Sequence, residues 1–142
     1  MEESSGFRDF VQEREDAKKP LVLIIDDDDL VLRGASLNLQ HIVFRTITAD
    51  GGVEGLEVLK ENHDKVSVIL LDLMMPDIYG FELLTTIKKD PELKHIPVFM
   101  HSGMVSSCER EMASRLGAEG FIDKSCSTKE KLRTKLIRFL PA

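Results

Sequence analysis

The chain has only two cysteines, Cys108 and Cys126, in 142 residues. They are too few for a disulfide framework and too far apart for a CxxC pair, which excludes a disulfide-stapled secreted domain. Long hydrophobic runs are missing as well. Apolar runs such as 68–71 stop at a carboxylate, far short of the ~18 residues a membrane span needs. The acidic N-terminus carries no signal-peptide pattern. Positive charge is scarce: 19 Lys and Arg against 25 Asp and Glu leave a net charge of -6, so no overall field draws in phosphate backbones or anionic lipid. The expectations are a reducing, cytoplasmic location, no membrane and no direct nucleic-acid partner. Gly51, Gly52 and Gly55 cluster without GxGxxG spacing, and no GxxxxGK[ST] loop occurs, so these glycines read as the start of a helix. His41, His63, His95 and His101 share no metal-ligand spacing and read as surface or packing residues. Nothing repeats, and no segment is low in complexity.

What remains is an ordinary globular composition, 42% hydrophobic and 31% charged, at the length of about one domain. Residues 1–19 stand apart as a polar extension with Phe7, Phe10, Val11 and Arg14 at helical spacing, closed by Pro20; the domain proper is 20–142. Short β-branched or aromatic runs predict strands over 21–25, 44–48, 66–71, 98–101 and 120–123. Amphipathic stretches between and after them predict helices over 29–42, 52–62, 80–88, 106–116 and 128–139. Ser127 with Glu130 reads as a capping box for the last helix, and Gly117 as the stop of the one before. Cys108, four residues from Met112, reads as a buried thiol. Such alternation is the pattern of an α/β, doubly wound, five-stranded parallel sheet with helices on both faces.

In such a sheet the ligand crevice lies at the carboxyl ends of the strands, where the strand order reverses. The chemistry-bearing residues of this chain fall there. The first predicted strand ends in Asp26-Asp27-Asp28-Asp29, the third in Asp72, the fourth in Ser102-Gly103 and the fifth in Lys124. Gathered carboxylates repel and raise one another's pKa unless a cation neutralises them, and hard oxygen ligands suit Mg2+. A hydroxyl and an ammonium opposite such a metal can hold a phosphoryl group. Asp28 and Asp29 are also good helix starters. Asp72 is harder to explain as scaffold, since it closes an apolar run where an unpaired charge is costly.

The stretches LVLIIDDDDLV, VILLDLMMPDIYG, IPVFMHSG and LGAEGFIDKS resemble the receiver domains of two-component response regulators, and the spacings agree: 46 residues from Asp26 to Asp72, 30 more to Ser102 and 22 more to Lys124. The resemblance implies a flavodoxin-like sheet of strand order 2-1-3-4-5 and a phosphoacceptor switch. It implies Asp72 as phosphoacceptor, and Asp26, Asp27, Asp72 and the Met74 carbonyl as the Mg2+ site. Ser102 and Lys124 would be phosphate-contacting partners, with Ser102 and Phe121 as the switch pair. A histidine kinase or histidine phosphotransfer protein would be the donor, and a downstream effector protein or output domain the reader. Two positions depart from the family pattern: Ser125 follows the lysine where proline is usual, and Gly103 stands for alanine. Met74 and Met104, two residues beyond Asp72 and Ser102, bring no acid or amide to the expected phosphate, which predicts slow hydrolysis.

A competing enzyme reading comes from Asp26-x-Asp28, which also resembles the nucleophile motif of haloacid-dehalogenase phosphatases and would make Asp26 the nucleophile. It leaves Asp72 unexplained, and no second acidic pair follows Lys124. A receiver fold kept only as a binding module is the third reading, and it would not need the whole constellation.

Overall fold

A computed structural model describes residues 19–42, 44–103 and 105–139. Strands β1 (Leu21–Ile25), β2 (Arg45–Ala49), β3 (Val66–Leu71), β4 (Val98–Ser102) and β5 (Gly120–Asp123) are each followed by a helix. These are α1 (Asp29–Gln40), α2 (Gly52–Glu61), α3 (Gly80–Lys89), α4 (Ser107–Arg115) and α5 (Lys129–Leu136). All neighbouring strands pair in parallel, in the order β2-β1-β3-β4-β5. The expectations about Phe7, Phe10 and Met104 concern positions outside the described residues. Among the described residues no helix is long and apolar enough to cross a membrane.

The strands read as unbroken apolar runs because both of their faces are covered. Leu21, Leu23 and Ile25 pack with Leu59 of α2, Leu84 and Ile87 of α3 and Ala113 of α4. Val22 and Ile24, pointing the other way, pack with Leu32, Ala35 and Leu39 of α1 and Leu132 and Leu136 of α5. The two apolar layers fix the register of the central strands, since a slip of one residue would exchange the faces.

Local chemistry sets the helix ends. Asp28 caps α1 by accepting the Leu30 amide at 2.9 Å. Gly117, at φ 101°, takes the left-handed conformation after α4; its amide donates to Ser114 O and the Ala118 amide to Ala113 O, closing the helix. Three expectations are corrected. β2 is one residue further along than predicted, because the Phe44 amide donates to Leu39 O at the end of α1 while Ala49 O accepts the Asp26 amide. The cap of α5 is Thr128, which accepts the Lys131 amide, and the capping box belongs instead to Ser106 and Glu109 of α4. Cys108 is exposed, because α4 turns only Ala113 fully inward.

Candidate functional site

The reversal of strand order between β1 and β3 opens the carboxyl edge of the sheet, and backbone pairing brings two acids together there. Asp26 follows β1 with its amide bonded to Ala49 O, and Asp72 follows β3 with its amide bonded to Ile25 O at 2.9 Å. Both are almost completely buried, 1% and 3% exposed, while Asp27 is exposed. Carboxylate oxygens of Asp26, Asp27 and Asp72 all lie within 4.8 Å of one another. Lys124, at the end of β5, reaches across to them: its Nζ lies 2.8 Å from Asp26 Oδ2 and 3.0 Å from Asp72 Oδ1.

One ammonium faces three carboxylates, and the titration of the site follows from that. Burial pushes the Asp72 pKa up from 3.8 to about 6; the Lys124 hydrogen bond opposes the rise, and the Asp26 and Asp27 charges add to it. Burial acts to lower Lys124, but Asp26 and Asp72 outweigh it and raise the ammonium above its ordinary range. Asp26 Oδ1 accepts the Asp28 amide at 2.9 Å. Its Oδ2 meets the Lys124 ammonium at 2.8 Å. Three gathered carboxylates with one ammonium between them leave an excess of negative charge that suits a divalent cation that prefers oxygen.

The loops that frame the crevice are tightly built. Gly80 starts α3 directly against the end of β3, where a Cβ would stand 2.3 Å from the Asp72 carbonyl oxygen. Asp77, between them, accepts the Gly52 and Val53 amides at 3.1 and 2.9 Å and so caps α2 in place of Gly51, which has no side chain to do it. Those amides, Val53 first, hold the Asp77 carboxyl below its ordinary range. After β5, Lys124–Cys126 forms a 3-10 turn whose Ser125 amide and hydroxyl donate to Asp123 Oδ1 at 2.9 and 2.7 Å. Serine thus supplies by hydrogen bonding a turn that proline would impose through its ring.

Of the residues singled out from the sequence, Asp26, Asp27, Asp72 and Lys124 share one cluster. Ser102 is buried at the end of β4, its hydroxyl making a long 3.4 Å bond to Gly103 O. A Cβ at Gly103 would meet nothing within 4 Å, so glycine in place of alanine is sterically neutral there. Phe121 is buried in the layer that holds Met100 and Ala113, with the Arg110 guanidinium 5.7 Å from its ring centroid. The Met74 side chain is 67% exposed. Sequence reasoning missed Asp77, whereas His101 is buried, as the packing reading allows; the visible signal for it is an imidazole inside an otherwise apolar strand, next to Ser102.

A five-stranded parallel sheet of this order defines the flavodoxin-like class, and here acids and a lysine converge at its switch point. Within that class the chain belongs to the response regulator receiver domain family, whose model matches residues 22–137. The chemotaxis protein CheV2 of Helicobacter pylori is 39% identical over 107 residues, which is 74% of this chain and 34% of that protein. The chain therefore spans about a third of that relative's length. The polar-differentiation response regulator DivK of Brucella ovis is 28% identical over 113 residues, covering 80% of this chain and 90% of its own length. Among solved structures, the chemotaxis protein CheY4 of Vibrio cholerae superimposes with a TM-score of 0.78 at 27% identity, over 86% of this chain and 99% of that one.

Proposed function

We propose that this receiver domain is a phosphoacceptor switch that takes a phosphoryl group onto Asp72 from a phosphohistidine donor. The observation that carries the reading is the Lys124 ammonium lying within 3.0 Å of both Asp26 and Asp72 at the carboxyl edge. An Asp72 carboxylate oxygen forms the new O–P bond as the P–N bond of the donor breaks, the electron pair leaving on the imidazole nitrogen. Asp26, Asp27, Asp72 and the Met74 carbonyl would hold Mg2+, which when bound supplies charge neutralisation for the transferring group. Lys124 stabilises the phosphoryl oxygens from the β5 side, and Ser102 donates its hydroxyl to them. With Ser102 drawn toward the phosphate, Phe121 changes its packing, and the surface offered to an effector protein or output domain changes with it. The receiver runs over 20–142, residues 1–19 form an extension to it, and the protein works in the cytoplasm with a histidine kinase or histidine phosphotransfer protein as donor.

Mass spectrometry after incubation with Mg2+ and a small phosphodonor such as acetyl phosphate tests the reading. Label on Asp72, and none in Asp72→Asn, is the expected result. Label on Asp26 would point to the phosphatase chemistry instead, and a native chain that takes no label would leave only a binding module.

A further inference from the structure

The buried polar side chains among the described residues are Asp26, Asp72, Ser102 and His101. The first three belong to the site above, and His101 is unused by it. It is 2% exposed and adjoins Ser102 in β4, yet strand alternation turns it to the opposite face, the side of the sheet on which Phe99 packs with α1 and α5. Its Nε2 lies 3.0 Å from Ser127 Oγ, and Ser127 O accepts Asn38 Nδ2 of α1 at 3.1 Å.

Ser127 is the residue that follows the Lys124–Cys126 turn. Asp123 pins the near end of this turn through Ser125, and His101 holds the far end through Ser127. We propose that His101 is a positioning residue for phosphotransfer: through Ser127 it clamps the turn so that Lys124 Nζ stays between Asp26 and Asp72. The inference rests on the phosphoacceptor reading given above. With serine where proline would fix the backbone, the turn has more conformations to lose, and side-chain anchors at both ends remove them. Burial, reinforced by the Lys124 charge and opposed by Asp123, keeps the imidazole neutral down to about pH 4. A neutral ring pairs with a hydroxyl in either tautomer, so the clamp holds throughout the physiological range. An ammonium that must meet developing charge on a phosphoryl group is sensitive to small displacements, which is why a residue remote from the reacting atoms can matter.

The test uses the full chain, Mg2+ and phosphoramidate, and follows the rate of Asp72 labelling at saturating donor. His101→Leu and Ser127→Ala should each slow labelling by about three- to tenfold, the scale of one lost hydrogen bond. Ser127→Thr, which keeps the hydroxyl, should restore a rate close to native. The Mg2+ concentration giving half-maximal rate should not move, since no carboxylate is altered. In a Lys124→Met background, Ser127→Ala should have no further effect. Ser127 is only half-buried, so its truncation keeps the fold even if His101→Leu does not. A native rate in Ser127→Ala, or an equal slowing in the Lys124→Met background, overturns the clamp while leaving Asp72 as acceptor. A native chain without label on Asp72 overturns the acceptor reading and the clamp together.

Discussion

Asp72 and His101 are both buried, and their titrations act on stability with opposite signs. The folded chain holds the Asp72 proton up to about pH 6, above the ordinary 3.8, so the stability this group contributes is present in full below pH 3.8 and lost as pH rises through 6. His101 titrates at about 4 instead of 6.5; its contribution is present above pH 6.5 and lost as pH falls through 4. Between these limits the two slopes oppose each other. Denaturant midpoints of the metal-free protein should therefore change little across that window. Asp72→Asn should expose a stability that climbs with pH, and His101→Leu one that declines; slopes of the same sign in the two variants would contradict the assignment. Met74 carries a second prediction at this scale. Its exposed thioether can neither activate nor orient water beside an acyl phosphate on Asp72, so Met74→Asn should speed phosphate loss severalfold, read by the decay of labelled protein. An unchanged decay would mean that the side chain lies away from the attacking water.

At the scale of elements, three glycines in or just beyond helices should respond in three different ways. Gly80→Ala drives a Cβ into the Asp72 carbonyl and should cost about 3 kcal/mol, with slower labelling as α3 moves off β3. Gly117→Ala puts a Cβ 3.2 Å from Lys88 Cγ, a flexible side chain that can give way, but it strains the left-handed backbone and should cost about 1–2 kcal/mol. Gly34, inside α1 with nothing near a Cβ, should become more stable as alanine by about 0.5–1 kcal/mol. Chemical denaturation of the three variants checks both the order and the sign. The same elements show what the sequence could disclose. β1, β3 and β5 were legible to the residue because each buried run stops at a charged group that also opens the site. Asp26, Asp72 and Lys124 could be brought together in thought because strand ends in a parallel sheet share one edge. The cap of α5 was not legible in this way: Ser127 fits the local pattern, but its hydroxyl bonds an imidazole 26 residues away, a partner that no local rule contains. Cys108 failed for a different reason, since periodicity gives the spacing of a helix face and not how deeply the helix sits.

For the whole molecule, the proposed Mg2+ site would couple cation binding to folding. Only the folded chain gathers Asp26, Asp27 and Asp72 within 4.8 Å, so Mg2+ should stabilise it by RT ln(1 + [L]/Kd), about 2.7 kcal/mol at a hundredfold excess over Kd. Thermal melts across a Mg2+ titration should rise with concentration, and Asp27→Asn, which removes an exposed carboxylate and leaves the core untouched, should flatten the response. A native melting temperature indifferent to millimolar Mg2+ would show that the pocket does not bind the ion.

The single ammonium among three carboxylates also decides which imitations of the active state can succeed. Asp72→Glu adds a methylene but no charge, whereas a phosphoryl group adds about two negative charges and three acceptor oxygens. A glutamate there would compete for the same Lys124 and offer Ser102 nothing new, so a locked-on variant should not arise by acidic mimicry at the acceptor. It should arise where the resting state is restrained. On the switch reading proposed above, the Arg110 guanidinium over the Phe121 ring would be such a restraint, and Arg110→Ala should shift Phe121 toward its phosphorylated packing without any phosphate, visible in the aromatic NMR signals of the unlabelled protein.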